Sequence, residues 1–126
     1  MGVATPSGRL GAAMRSAIFP GMNATSPLTI IAICTAAPGK EQALRAAQER
    51  LVAETVKEPG CLRYELHQSH EDPRVLIFVE SGASEALWQA HMEGDAIKRF
   101  RAGGADELFA DFTLHRLGLV ADGRRA

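Results

Sequence analysis

At 126 residues the chain has the size of one domain, with enough length for a core. It is 46% hydrophobic and 6% aromatic with a net charge of −1, which fits a globular protein and argues against a nucleic-acid partner. The longest apolar run, LTIIAICTAA at 28–37, is about half of what a bilayer span needs, so no membrane association is expected. Two cysteines without close spacing make neither a disulfide framework nor a zinc site, and a reducing cytoplasm is the expected compartment.

Residues 1–27 read as an N-terminal extension. No acidic residue precedes Glu41, and Arg9 and Arg15 flank LGAAM and SAIF. This acid-poor composition bears some likeness to an organellar transit peptide, whereas Arg15 interrupts any apolar region of a secretory signal. If ordered, residues 9–19 form a short amphipathic helix. Asn23-Ala24-Thr25 matches a glycosylation acceptor, but no export signal gives it meaning.

A domain is expected over 28–120, followed by a polar tail at 121–126. LTIIAICTA (28–36) is β-rich and ends at Pro38-Gly39. Residues 40–58 place Leu44, Ala47, Leu51 and Thr55 at helical spacing, with charged residues opposite. Pro59-Gly60 stops that helix. CLRYELHQS (61–69) alternates, with Leu62, Tyr64 and Leu66 on one face and Arg63, Glu65 and His67 on the other. HEDP is a turn, and RVLIFVES (74–81) completes a hairpin. Ser84 caps a helix over 85–92, which Gly94 closes. A second helix spans 95–102, breaks at Gly103-Gly104 and resumes in ADELFA; the last strand covers 111–120.

The order β-α-β-β-α(α)-β is the split βαβ arrangement of a ferredoxin-like α+β sandwich with a four-stranded antiparallel sheet. A sheet with water on one face should alternate apolar and polar residues. The third strand does not: Val75, Ile77 and Val79 occupy one side, Leu76 and Phe78 the other. Burial at about 25 cal/mol per Å² favours covering both faces. The simplest cover is a second copy of the chain, giving a homodimer in which two sheets close a dimeric α+β barrel.

The chain resembles the antibiotic biosynthesis monooxygenase (ABM) family of dimeric α+β barrels, which includes quinol monooxygenases. The elements that carry the likeness are PGK after the first strand, EPGCLRYEL opening the second, and strand-end Glu80 followed by a helix holding ALWQAH. Together they cover residues 28–119. The resemblance implies a cofactor-free oxidoreductase that uses O₂ on an electron-rich aromatic substrate such as a hydroquinone or anthrone, with its pocket between sheet and helices. Gly82 stands where relatives often carry tryptophan, Ala96 where a second histidine is common, and Trp88 where leucine is usual. The expectation is that Trp88 fills the space vacated at Gly82.

His91 is the leading chemical candidate. Leu87 and Trp88 precede it by four and three residues and share its inward face. A histidine at a pocket edge takes a phenolic proton near neutral pH; the alternative is a core or dimer-edge histidine. Tyr64 is the expected hydrogen-bond partner of a substrate oxygen and Trp88 a stacking wall, each with plain packing as its alternative. Leu62, Leu66, Phe78, Leu87, Met92 and Phe100 are the expected substrate lining or core. Cys34 and Cys61 read as small buried hydrophobes, and Cys61 follows a helix C-terminus, which disfavours a thiolate. His67 and His70 face opposite ways on a strand entering a turn, so metal ligation is not expected; no cofactor motif appears either.

Removing a proton from a hydroquinone or anthrone makes an anion that reduces O₂, so the protein needs a base, a donor and a dry pocket. Rival readings are a non-catalytic small-ligand-binding barrel, a haem-degrading enzyme and an isomerase of a small hydroxyketone. Haem degradation is disfavoured by the lack of asparagine in LTIIAICT.

Overall fold

The computed structural model describes residues 27–123. Strand β1 (Leu28–Ala36) leads into helix α1 (Glu41–Thr55), then the hairpin β2 (Cys61–Gln68) and β3 (Val75–Gly82). Helices α2 (Glu85–Met92) and α3 (Asp95–Ala102), a 3-10 turn at Ala105–Leu108 and strand β4 (Phe109–Leu117) complete the domain. The short helix considered for 9–19 lies outside the described residues.

All strand pairings are antiparallel, in the order β2-β3-β1-β4. This is the ferredoxin-like α+β fold expected from the pattern. The central pair runs in register from Leu28 opposite Gly82 to Thr35 opposite Val75. Residues at alternating positions on β1, Leu28, Ile30, Ala32, Cys34 and Ala36, are buried beneath the helices. Leu44 and Leu51 of α1, Tyr64, Leu76, Phe78 and Ala96 join Ala32, Cys34 and Ala36 in the main core. A second cluster, Leu28, Ile30 and Trp88, sits under α2. On the opposite face Ile31, Ile33, Val75, Ile77 and Val79 are half-buried, so this face carries an apolar stripe without a helix over it.

Several boundaries differ from the sequence expectation. Helix α1 stops at Thr55 instead of 58, because residues 56–60 form turns tied by Glu58 N–H to Thr55 O (2.9 Å) and Cys61 N–H to Glu58 O (3.2 Å). ADELFA does not resume a helix: Ala105–Leu108 is 3-10, and Phe109 already pairs with Ala36. β4 therefore starts two residues early and ends at Leu117, leaving 118–123 exposed and irregular.

The alternation on β2 also breaks. Tyr64 pairs with Glu80 and Arg63 with Ser81, but Cys61 pairs with Gly82, so Leu62 is an inserted bulge residue. Leu62 consequently points away from the core and is 62% exposed, a correction to its expected place beside Tyr64 and Leu66. Cys61 takes the inward position instead and is half-buried.

Candidate active site

The turn between α1 and β2 positions the site's first group. Gly60 adopts φ +82°, a left-handed conformation that suits glycine, and a Cβ there would lie 2.5 Å from Leu87 Cδ1. The turn thus packs directly on α2, and Ala83 N–H donates to Gly60 O at 2.8 Å, locking it to the end of β3. Two residues earlier, Glu58 is held out of the helix and aimed at the far end of α2. There its Oε1 lies 2.7 Å from His91 Nδ1.

Helix α2 is seated from both ends. Ser84 accepts from Leu87 N–H at 3.1 Å, satisfying one of the helix's free amide donors. Glu85, in the first turn, forms a buried ion pair with Arg116 of β4 and accepts from Gln89. These contacts turn Trp88 and His91 inward, 4% and 9% exposed. A Cβ on Gly82 would sit 3.6 Å from Trp88 Cβ, so Trp88 occupies space that a large side chain at position 82 would need.

Between α2, the turn and the ends of β2 and β3 lies a cavity bounded by Thr55, Glu58, Cys61, Tyr64, Glu80 and His91, with Trp88 as a wall. Pro59, Gly60, Arg63, Ser81, Gly82 and Leu87 also border it. Its space open to a water-sized group is about 20 Å³, room for about one water molecule or one hydroxyl group. The Tyr64 ring stacks edge-on to His91 at 5.3 Å and lies 5.0 Å from Phe78. Burial and the nearby Glu80 carboxyl push the Tyr64 hydroxyl well above its usual value, so it stays protonated. Thr55 Oγ1 lies against that hydroxyl but makes no hydrogen bond of normal geometry among the described residues.

Glu80 is the group that sequence reasoning noted as a motif residue but did not place in the site. It is 6% exposed, and Trp88 Nε1 donates to its Oε1 at 3.3 Å. Burial raises its pKa to about 7, against the smaller opposing effect of the Trp88 bond. The signal for it was legible: in Leu76-Phe78-Glu80 a carboxyl falls in the inward phase of an alternating strand. Glu58 was also missed, since its pairing with His91 spans 33 positions and depends on the turn geometry.

The sequence-selected residues divide into two groups. His91, Tyr64, Trp88 and Leu87 come together around the cavity. Leu66 and Phe78 pack in the main core, Met92 packs beside Leu28, Ile30 and Trp88, and Phe100 stacks on Phe109, so none of these lines the cavity. Both cysteines are free thiols. Burial pushes Cys34 up to about 12, and burial followed by Glu58 raises Cys61, so neither is an activated nucleophile. His67 pairs with Glu65 at 2.9 Å on the outer face of the sheet, where His115 is also exposed. Among the described residues no cluster of three or more His, Cys, Asp or Glu could hold a metal ion.

A ferredoxin-like sheet with acid–base groups gathered under one helix is the framework of a small-molecule site, and comparison with known proteins places it more narrowly. Residues 27–103 match the antibiotic biosynthesis monooxygenase family. The fold is shared with PA3566 from Pseudomonas aeruginosa, at 33% identity and TM-score 0.72 over 79% of this chain and 100% of that one. SO0527 from Shewanella oneidensis is 32% identical with TM-score 0.69, over 74% and 90% of the two chains. Rv0793 from Mycobacterium tuberculosis is 25% identical with TM-score 0.71, over 79% and 100%. None of the curated proteins compared with the chain matches it. The chain belongs to the antibiotic biosynthesis monooxygenase family.

Proposed function

We propose that the protein is a cofactor-independent monooxygenase that uses O₂ to oxidise a quinol, an anthrone or a related electron-rich hydroxyaromatic. The observation that carries this reading is the Glu58–His91 pair at 2.7 Å on the wall of the cavity. In the neutral imidazole a proton on Nδ1 is donated to Glu58, which leaves Nε2 as the basic nitrogen. A carboxylate partner also stabilises the imidazolium that forms when His91 accepts a proton.

The cavity's size shapes the pose. A single substrate hydroxyl fits the cavity, while the ring would rest at the mouth against Pro59 and Leu87. His91 takes the hydroxyl proton, the Tyr64 hydroxyl steadies the resulting anion by donating to its oxygen, and Trp88 closes the wall behind it. The anion then supplies the electrons that O₂ requires, so no flavin or metal is needed for this step.

The apolar stripe of Ile31, Ile33, Val75, Ile77 and Val79 supports a homodimer in which a second copy covers the open face. Among the described residues no helix is long and apolar enough to cross a membrane. Two free thiols suit a reducing compartment, and the cytoplasm is the proposed one.

The small cavity favours a second reading, a barrel that binds such ligands without turning them over. Oxygen uptake on a panel of hydroquinones and anthrones separates the two. An oxygenase consumes O₂ in proportion to enzyme and loses this in His91→Ala. Saturable binding with no uptake on any member of the panel would leave the protein a binder.

A further inference from the structure

Glu80 has a place and no assigned work. Its Oε1 is held by Trp88 Nε1 at 3.3 Å, its carboxyl borders the cavity, and among the described residues no donor reaches Oε2. It lies across the β2–β3 ladder from Tyr64, on the same wall as the oxygen that Tyr64 and His91 would hold. We propose that Glu80 is a catalytic proton donor, passing a proton from Oε2 to the peroxide that forms when O₂ adds to the substrate anion, while Trp88 Nε1 steadies the carboxylate left behind. This rests on the oxygenase reading above.

The chemistry balances with these two groups alone. His91 removes the hydroxyl proton of a hydroquinone, and the anion's electron pair, passed to O₂, becomes the new C–O bond at the ring carbon next to that oxygen, the ring position nearest Glu80. The adduct carbon still bears one hydrogen and a peroxide anion. Glu80 protonates that peroxide. Heterolysis of the O–O bond then expels hydroxide as the remaining C–H pair becomes the second bond of a carbonyl. The hydroxide takes the proton stored on His91 and leaves as water, and Glu80 recovers the proton from carbon. One substrate and one O₂ give one carbonyl product and one water, with both residues restored.

The surroundings suit a neutral acid at rest. Facing Glu80 are Tyr64 and Cys61 from β2, Cys34 from β1, and Trp88 and His91 from α2, with Glu58 across the cavity. Arg63 is tied to Glu65 at 2.9 Å on the outer face of the sheet, and Arg116, in the same row beyond Ile30, is engaged by Glu85. Among the described residues no cation is paired with the carboxyl, and burial raises its pKa to about 7.

Trp88 is the sole tryptophan of the chain, so its fluorescence reports on the bond to Glu80. The test is a fluorescence titration of the full chain from about pH 5.5 to 9, around the group's pKa of about 7, in parallel with turnover of a hydroquinone. The wild type should show a transition near neutrality that Glu80→Gln abolishes and His91→Gln retains. Turnover should fall as pH rises through that transition. Glu80→Gln should lose about 100-fold in kcat with little change in KM and release peroxide, since glutamine donates a hydrogen bond but no proton. Glu80→Asp should recover part of the rate and covers the case in which the glutamine variant does not fold. Wild-type kcat and pH profile in Glu80→Gln, or full activity without peroxide release, would overturn the proposal. Absence of enzyme-dependent oxygen uptake in the wild type would remove the oxygenase reading and this role with it. A fluorescence transition that persists in that case tells the two failures apart.

Discussion

At the scale of single residues, the cavity holds two carboxyl groups in opposite circumstances. Glu58 is partly exposed and hydrogen-bonded to His91, whereas Glu80 is buried with one indole N–H for company. Replacing Glu58 with Gln should cost about 10-fold or more in kcat while KM moves little, because it removes the negative charge that stabilises the imidazolium and leaves binding contacts in place. A steady-state rate series on both variants checks this, and His91→Gln should cost more than Glu58→Gln. Glu80 also affects folding. Its pKa rises from 4.5 unfolded to about 7 folded, so the unfolded chain releases its proton first as pH increases. The protein should lose stability between those two values and pay the whole cost above the upper one. The distance between those two values makes that cost on the order of 3 kcal/mol. Denaturant melts should find Glu80→Gln less stable or equal at pH 5 and more stable than wild type at pH 8. Equal stability differences at both pH values would mean that Glu80 is ionised throughout.

At the scale of elements, the site depends on one turn and one bulge. EPGC places Glu58 beneath His91 because the helix ends at Thr55 and Gly60 reverses the chain against Leu87. Gly60→Ala combines a left-handed backbone with a contact of 2.5 Å to a side chain, so it should destabilise the fold and displace α2. A loss of about 2 kcal/mol or more in denaturant unfolding, with weaker Trp88 burial by fluorescence quenching, is the expected result. The strands and helices were legible from periodicity, and His91, Trp88 and Tyr64 fell together because helix spacing and strand phase both pointed inward. Leu62 did not, because a bulge inserts one residue without any marker in the alternation of CLRYEL. Phe100 and Met92 were expected as substrate lining or core and pack against the core, because the sequence pattern does not tell which part of a core borders free space. Glu80 carried a visible signal, a charge in a buried phase, whose meaning depended on the indole opposite it.

At the scale of the whole molecule, the sheet is covered by helices on one face and presents isoleucine and valine on the other. A second copy on that face is the proposed arrangement. Placing lysine at both Ile31 and Ile77 should convert the species seen by light scattering at micromolar concentration from dimer to monomer, because each subunit would bury two added charges at the interface. A wild type that is monomeric at that concentration would remove the dimer from the account.

In the proposed function this family member joins one oxygen atom of O₂ to its substrate with side chains alone. Turnover of an anthrone under isotopically labelled O₂, in chelator-treated, flavin-free enzyme, tests it most directly. The account predicts one labelled atom in the carbonyl product, the other in water, and loss of labelling above background when His91 is replaced. Product labelled only from solvent, or labelling that survives in the His91 variant at the wild-type rate, would contradict it.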